Sequence, residues 1–229
     1  TKIGLGFATI PNITQSLISS AMDAGYWRFF RGLASLRKKE VRQMIRESGA
    51  TSYSQLAEML GMNETTALTS GVVDGLAKWT GFKGINKMNQ IMAAATAKVF
   101  VDDLLKMSTK GMTNSRRKWA KSKLGELGVD WKVGELNYKN PSDLKIVKGA
   151  MEKFARNTQL QRDILKDPLI FNNPRTKMFT QFKRFGYRQA QYTKEVMRHD
   201  IAHGNILPML RLAIGGYAGG QFVHVAKKF

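Results

Sequence analysis

Apolar residues recur every three or four positions over most of the chain, and alternating runs typical of strands are nearly absent. The clearest helical pattern covers residues 85–106, where one stripe holds Ile85, Met88, Met92, Ala95 and Val99. A period near 3.6 residues is that of an α-helix. A helix this apolar must be covered by a core or an interface. The pattern therefore predicts an all-α fold.

Capping and turn residues divide this helical pattern into separate elements. Gly25 predicts a bend in the first helix. Asn140 followed by Pro141 predicts a helix start, because asparagine caps free backbone amides and proline fits the first helical turn. The pair at residues 173–174 repeats this device, so one long helix is expected from there to about residue 203. Residues 128–139 form the one plausible long loop.

Three regions follow from these breaks. Residues 1–110 form an N-terminal helical region with the apolar central helix, and residues 111–172 hold a basic helix, a loop and connecting helices. Residues 173–229 hold a long amphipathic helix and a Gly-rich apolar helix. The expected architecture is an extended multi-helix assembly. Since the chain begins at Thr1 and not at a methionine, we expect it to be a piece of a longer polypeptide.

Charge adds the strongest global signal. The 37 Lys and Arg against 17 Asp and Glu give a net charge of +20, which repels itself unless nucleic acid, anionic lipid or an acidic subunit lies nearby. Candidate DNA or anionic-lipid contacts are Arg116, Arg117, Lys118, Lys121, Lys123, Lys177, Lys183, Arg184 and Arg188. Such contacts would bind phosphates without sequence specificity and in a salt-sensitive way. A solvated face or the acidic rim of a partner is the alternative.

A second face of the long helix carries apolar residues. Its candidate helix-packing interface consists of Met178, Phe182, Phe185, Gln189, Tyr192 and Val196. Alternating spacings of four and three are typical of a coiled-coil seam, in which one polar residue such as Gln189 sets the register. The alternative is an ordinary core-facing helix within one chain.

The last apolar stretch, residues 206–226, is close to the ~20 residues that span a bilayer. Candidate residues for membrane contact or close helix packing are Leu212, Gly215, Gly216, Gly219 and Gly220. Small residues four apart let helices approach closely. Arg211 could extend to the membrane surface, but Arg211, Gln221 and His224 are costly inside lipid. Conditional membrane insertion and tight packing at a protein interface both remain open.

Signals of catalysis are weak. The absence of cysteine excludes disulfides, thiol catalysis and cysteine-bound metals. His199 and His203 have the spacing of a zinc-protease pair, but Asp200 replaces the general-base glutamate and no third ligand is evident. Carboxylates are few and scattered, so no paired acid–base site can be argued. We therefore expect no catalytic residues, no metal and no cofactor.

Several short motifs resemble a known family. These are PNITQ at residues 11–15, NPR at 173–175, FTQFKRF at 179–185 and the Gly-rich apolar segment at 212–220. In order and pattern, across most of the chain, they resemble a helical region of very large phage polyvalent proteins. Such proteins include the largest internal virion (ejection) proteins of short-tailed bacteriophages.

The resemblance implies a protein stored in the capsid around the portal axis and expelled ahead of the genome. In that family, ejection proteins assemble into a tube across the host periplasm and inner membrane. The implied partners are copies of the same chain, other phage core or ejection proteins, the portal, non-specifically bound double-stranded DNA and the host inner membrane. The implied location is the virion interior, then the host periplasm and inner membrane. The alternative is a basic, helical, nucleic-acid-binding packaging protein without a membrane role.

Some relatives carry a peptidoglycan-cleaving lytic transglycosylase. No glutamate-centred motif of that kind is visible in this chain, so the activity is not transferred to it. The expected function is structural, acting through assembly and electrostatics.

Overall fold

The computed structural model describes residues 18–51, 82–109, 112–133, 136–158 and 177–226. All regular elements in these ranges are helical, which confirms the all-α prediction. The helices are α1 (which includes residues 18–24), α2 (Tyr26–Ser35), α3 (Lys39–Glu47), α4 (Phe82–Ser108), α5 (Asn114–Leu127), α6 (Pro141–Thr158), α7 (Lys177–Ala202) and α8 (Leu207–Ala226). A 3₁₀ turn covers Trp131–Val133.

Two predicted helix boundaries are confirmed. Gly25 separates α1 from α2 with a φ of 96°, a conformation that favours glycine. At the start of α6, the Asn140 side-chain oxygen accepts a hydrogen bond from the Ser142 amide at 3.1 Å, and Pro141 is the first helical residue. The predicted start at residues 173–174 lies outside the described residues.

One hydrophobic core joins the first two of the three regions. At its centre Phe100 of α4 is fully buried between Trp119 of α5 and Phe154 of α6, with ring centroids 6.3 and 5.9 Å away. Apolar residues from α3 and the end of α1 complete this core. Of the predicted apolar stripe of α4, Ala95 and Val99 are buried within the chain, whereas Met88 near the start of the helix is exposed. The side chain of Ile85 lies outside the described residues.

Small side chains let α2 and α4 approach each other closely. Four alanines of α4, between residues 93 and 97, are buried. A Cβ added at Gly32 of α2 would lie 2.8 Å from backbone atoms of Thr96. Beside this contact, Arg28 and Arg31 both pair with Asp103, at 2.9 and 3.0 Å. The α2–α4 contact therefore depends on glycine at position 32.

We expect Gly32→Ala to destabilise the protein by about 1–3 kcal/mol, because the added methyl group meets backbone that cannot move without shifting a helix. Chemical denaturation followed by circular dichroism measures the change. Gly149→Ala in α6 is the matched control, since nothing lies within 4 Å of its added Cβ. That variant should gain roughly 0.5–1 kcal/mol. Equal effects at the two glycines would contradict the close approach.

Candidate functional site at the junction of α1, α5, α7 and α8

The predicted seam of α7 packs inside the chain where its side chains are described. Tyr192 and Val196 are buried against Met22 of α1, with Leu212 of α8 beside them. Gln189 accepts a hydrogen bond from the Ser19 hydroxyl at 3.4 Å. At these positions α7 is therefore a core-facing helix within one chain, which was the alternative to a seam between chains. The side chains of Met178, Phe182 and Phe185 lie outside the described part of α7.

A buried ionic cluster continues this seam towards the end of α7. The Lys123 ammonium of α5 lies 3.0 Å from Asp23 Oδ1 of α1, 3.1 Å from Glu126 Oε2 and 3.7 Å from Asp200 Oδ2 of α7. Lys123 exposes 2% of its surface and Asp200 none. We call Asp23, Lys123, Glu126 and Asp200 the ionic cluster; it joins three helices through one cation.

Neutral donors supply hydrogen bonds to one oxygen of each buried aspartate. The Trp119 indole and the Asn205 amide both donate to Asp200 Oδ1, the latter at 2.6 Å. The Tyr192 hydroxyl donates to Asp23 Oδ2 at 3.2 Å. A buried carboxylate is tolerated only when such donors and a counter-charge replace water. The cluster is therefore organised around two buried aspartates.

The environment sets the charge states of the cluster. Burial alone lowers the pKa of Lys123, but attraction by Asp23, Glu126 and Asp200 outweighs it and raises that pKa above its ordinary value. Burial raises the pKa of Asp200, while Lys123 and the hydrogen-bond donors oppose the rise. Burial, and to a lesser extent the negative charge of Asp23, raises the pKa of Tyr192 well above its ordinary value. At neutral pH, Lys123 is thus charged and Tyr192 is a neutral donor.

His199 borders the cluster. Its Nε2 lies 2.6 Å from the Ser122 hydroxyl and 3.5 Å from Glu126 Oε1. Burial, then the charge of Lys123, lowers the pKa of His199. A serine beside a neutral imidazole resembles part of a catalytic triad, which also needs an acid on the other ring nitrogen. In the described part of the chain, His199 Nδ1 is buried without a hydrogen-bond partner, so no acid contacts that ring nitrogen among the described residues.

The second histidine of the pair forms a helix end. The His199 and His203 rings stack with centroids 4.7 Å apart, and His203 Nδ1 lies 2.8 Å from the His199 carbonyl oxygen. Among the residues that the structure describes, no group of three or more His, Asp or Glu side chains is arranged to hold a metal ion.

The residues of the basic face predicted on α5 differ in exposure. Arg116 and Lys118 are exposed, whereas Lys121 lies over the Trp131 ring, 3.4 Å from its centroid. The placement of Lys123 on this surface is corrected, because Lys123 shares its helix face with buried Trp119 and cannot reach a phosphate. Arg117 is half-buried, and its guanidinium donates to the Met112 carbonyl at 3.1 Å.

The predicted basic face of α7 is only partly described. Arg188 is half-buried. The side chains of Lys177, Lys183 and Arg184 lie outside the described part of the helix.

Arg211 of α8 points into the protein. Its guanidinium donates to the Met22 carbonyl at 3.2 Å, and a Cβ added at Gly25 would lie 3.1 Å from its Cζ. The Tyr26 hydroxyl donates to the Arg211 carbonyl at 2.9 Å. Burial lowers the pKa of Arg211, with the charge of Arg28 adding to this effect. The expectation that Arg211 extends to a membrane surface is therefore wrong for this arrangement.

Glycine lets α8 lie close to α1 and α2. A Cβ added at Gly215 would lie 2.6 Å from the Tyr26 hydroxyl oxygen and 3.3 Å from Ile18 side-chain atoms. Close packing at Gly215 thus occurs within the chain. Gly216 faces open space. Gly219 and Gly220 belong to α8, but their surroundings lie outside the described residues.

The opposite side of α8 is apolar and exposed. Its large side chains, together with the preceding Ile206, are 50–73% exposed, and we call them the outward face: Ile206, Leu207, Met209, Leu210, Ile214 and Tyr217. Trp27 and Phe30 of α2 are exposed too, and Phe30 lies one turn from Tyr26, which touches α8. None of the helices in the described ranges combines the length and hydropathy needed to span a membrane.

Comparisons with known proteins add no assignment: no family model matches the chain, and no curated protein or solved structure shows significant similarity to it.

The ionic cluster, Asn205 and the inward Arg211 were missed from the sequence. Asp23, Lys123 and Asp200 lie far apart along the chain, and only the packing of α1, α5 and α7 brings them together. One signal was present for Lys123, since it lies four residues after Trp119 on a helix with an apolar face. For Asp200 the signal was its place four residues after buried Val196.

We expect the free energy of unfolding to fall as the pH drops below the ordinary histidine pKa of 6.5, because the lowered pKa of folded His199 lets the unfolded chain bind the proton more readily. The contribution of His199 to the free energy of unfolding is complete above pH 6.5. It is lost as the pH falls through the lowered pKa that His199 has in the folded protein. His199→Gln should flatten this part of the stability profile, measured by denaturant titration at several pH values.

His224→Gln, which removes an imidazole from α8, is the control; His203 is unsuitable, because its ring contacts His199 and helps to lower the pKa of His199. Asp200 acts in the opposite direction, since its raised pKa favours the folded state at acid pH. The test is therefore the difference between the variants in how the free energy of unfolding depends on pH, and not that dependence in the unmodified protein alone. An unchanged slope in His199→Gln would refute the assignment.

Proposed function

We propose that this chain is a non-catalytic structural segment of a bacteriophage internal virion (ejection) protein. In this proposal, copies assemble around the portal–tail axis and help form a conduit that delivers the genome across the host cell envelope. The observation that carries the proposal is the inverted polarity of α8: its one arginine, Arg211, points inward and its outward face is apolar.

Inverted polarity favours a covered surface. In water, a helix that packs on one side usually places its polar residues outside. Contiguous exposed apolar patches of this kind mark contacts with other proteins or with lipid. The inward side of α8 already has its partners in Met22, Gly25 and Tyr26. The outward face is therefore the surface available for assembly.

The positive charge of the chain favours an anionic lipid surface as one partner of the outward face. A chain with a net charge of +20 is attracted to anionic headgroups. On α2, Trp27 and Phe30 are exposed, and Arg31, which pairs with Asp103, is exposed beside them. Aromatic residues next to cations are typical of helices that lie at a membrane–water interface. We propose the host inner membrane as the lipid partner and neighbouring copies as the protein partner.

Exposed cations support a second contact, with DNA. Arg116 and Lys118 are exposed in the first turns of α5, on different sides of the helix, so each is accessible to a phosphate. Such contacts neutralise phosphates and release counterions, whatever the base sequence. In a conduit they would line or border the DNA path.

The second candidate function is a basic, helical packaging protein that binds nucleic acid and never contacts lipid. The same exposed cations favour it, because they do not depend on the outward face. DNA binding without vesicle binding would select this function over the first.

We expect the protein to co-sediment with vesicles that contain anionic lipid, and the double variant Leu210→Ser with Ile214→Ser to bind roughly tenfold or more weakly. Fully burying one such side chain contributes about 1.5–3 kcal/mol, and about 1.4 kcal/mol is tenfold in affinity. Both residues lie on the outward face, more than half exposed, so the fold should be retained.

The matched control is Met88→Ser with Met112→Ser, two exposed methionines outside α8. Equal vesicle binding by the two double variants would reject a membrane role for the outward face. Vesicles of zwitterionic lipid alone separate the apolar contribution from the electrostatic one.

We expect Arg116→Gln with Lys118→Gln to lower the slope of log affinity for double-stranded DNA against log salt by about 2, since each phosphate contact contributes roughly 0.9. Fluorescence anisotropy of a labelled duplex over a salt series measures it. Lys132→Gln with Lys139→Gln, two exposed lysines outside α5, changes net charge equally and is the control. If both pairs change the slope alike, only net charge matters and α5 is not a DNA-contacting face.

A further inference from the structure

Where their side chains are described, the two C-terminal helices stand apart from the main hydrophobic core. That core takes its described buried residues from the end of α1 through α6, and none of these belongs to residues 187–218 of α7 and α8. The second apolar cluster is small, with buried Met22, Tyr192 and Val196 and partly buried Leu212. Gly204, with a φ of 74°, links α7 to α8 as a hairpin. The hairpin thus adjoins the core through little apolar surface among the described residues.

Polar contacts do most of the joining. Asp200 of α7 meets Lys123 and Trp119 of α5, and Tyr192 reaches Asp23 of α1. At the tip of the hairpin, the Ser115 hydroxyl donates to the His203 carbonyl at 2.9 Å. The contacts of Arg211 on the α1–α2 bend complete the set. Hydrogen bonds and ion pairs require defined positions of donor and acceptor, whereas apolar packing is not directional.

The ionic cluster is unbalanced. Three carboxylates surround one ammonium group, so the loss of Lys123 leaves two buried aspartates without a cation in direct contact within the cluster. A buried ion pair adds little net stability over an apolar contact of the same size, but removal of one partner is strongly destabilising. Docking of the hairpin therefore depends on Lys123 more than on buried area.

We infer that the ionic cluster is a latch, and that the α7–α8 hairpin undocks from the α1–α6 core as one unit while the core stays folded. Parts of a protein with few buried apolar contacts open below the free energy of global unfolding. The hairpin meets this condition, and Phe100 with its aromatic neighbours keeps α4, α5 and α6 together without it.

Opening changes the surface that α8 presents. In the closed state, Leu212 and Gly215 face the core side while the outward face is exposed. After undocking, apolar surface runs around α8 between Leu207 and Tyr217, interrupted by Arg211. A helix that is apolar all round requires an apolar environment on every side. The latch would therefore control when α8 becomes available to be enclosed by partners.

The test is hydrogen–deuterium exchange of the whole chain, resolved by helix, for Lys123→Met. Methionine keeps the length of the side chain and removes its charge. We expect amides of α8 and of the second half of α7 to exchange roughly a hundredfold faster, because a buried partner has been removed. Exchange in α4 and α6 should stay within about twofold of the unmodified protein.

Two further variants keep the test decisive. Lys121→Met removes the same charge from the outer side of α5, over Trp131, and should leave exchange in α8 unchanged. The triple variant Lys123→Met, Asp23→Asn, Asp200→Asn removes the buried charges together and should restore most of the protection. Faster exchange in every helix alike, or unchanged exchange in α8, would overturn the latch, as would a triple variant as open as Lys123→Met.

Discussion

The ammonium group of Lys123, in contact with carboxylates from three helices, ties the C-terminal hairpin to the rest of the chain. The ion pair with Asp23 holds Lys123 against α1, and the contact with Asp200 holds Lys123 against α7. Each aspartate also accepts a hydrogen bond from a buried aromatic residue, Trp119 or Tyr192. Because a buried charge tolerates few alternative arrangements, this cluster selects one docking geometry where the limited apolar contact would permit several.

The polarity of α8 follows from that geometry. Once α7 is fixed, the short link at Gly204 and Asn205 places α8 across the α1–α2 bend. There Arg211 finds a backbone carbonyl and Gly215 admits the Tyr26 hydroxyl, so the outward face remains apolar. The functional proposal and the latch thus have one origin, because the same docking that satisfies the buried charges leaves an apolar surface to be covered.

The core of α1–α6 has a different basis. Alanines of α4 and Gly32 of α2 bring two backbones together, and Phe100 fills the space between α5 and α6. Here apolar periodicity predicted that α4 would be covered, and Ala95 and Val99 are buried. It did not single out Phe100, and it placed the exposed Met88 on the covered stripe. Helix ends at Gly25 and Asn140 were predictable for a similar reason, because their backbone requirements are local.

The sequence by itself determined the helical class, the main helix boundaries and the high positive charge, all of which depend on residues close together along the chain. It also indicated that α7 buries Tyr192 and Val196, but not against what. Only the tertiary structure decided that Lys123 is an internal counter-ion and not a surface cation, and that Arg211 points inward. Burial of a charge depends on partners far away in the chain, and neither periodicity nor local spacing carries that information.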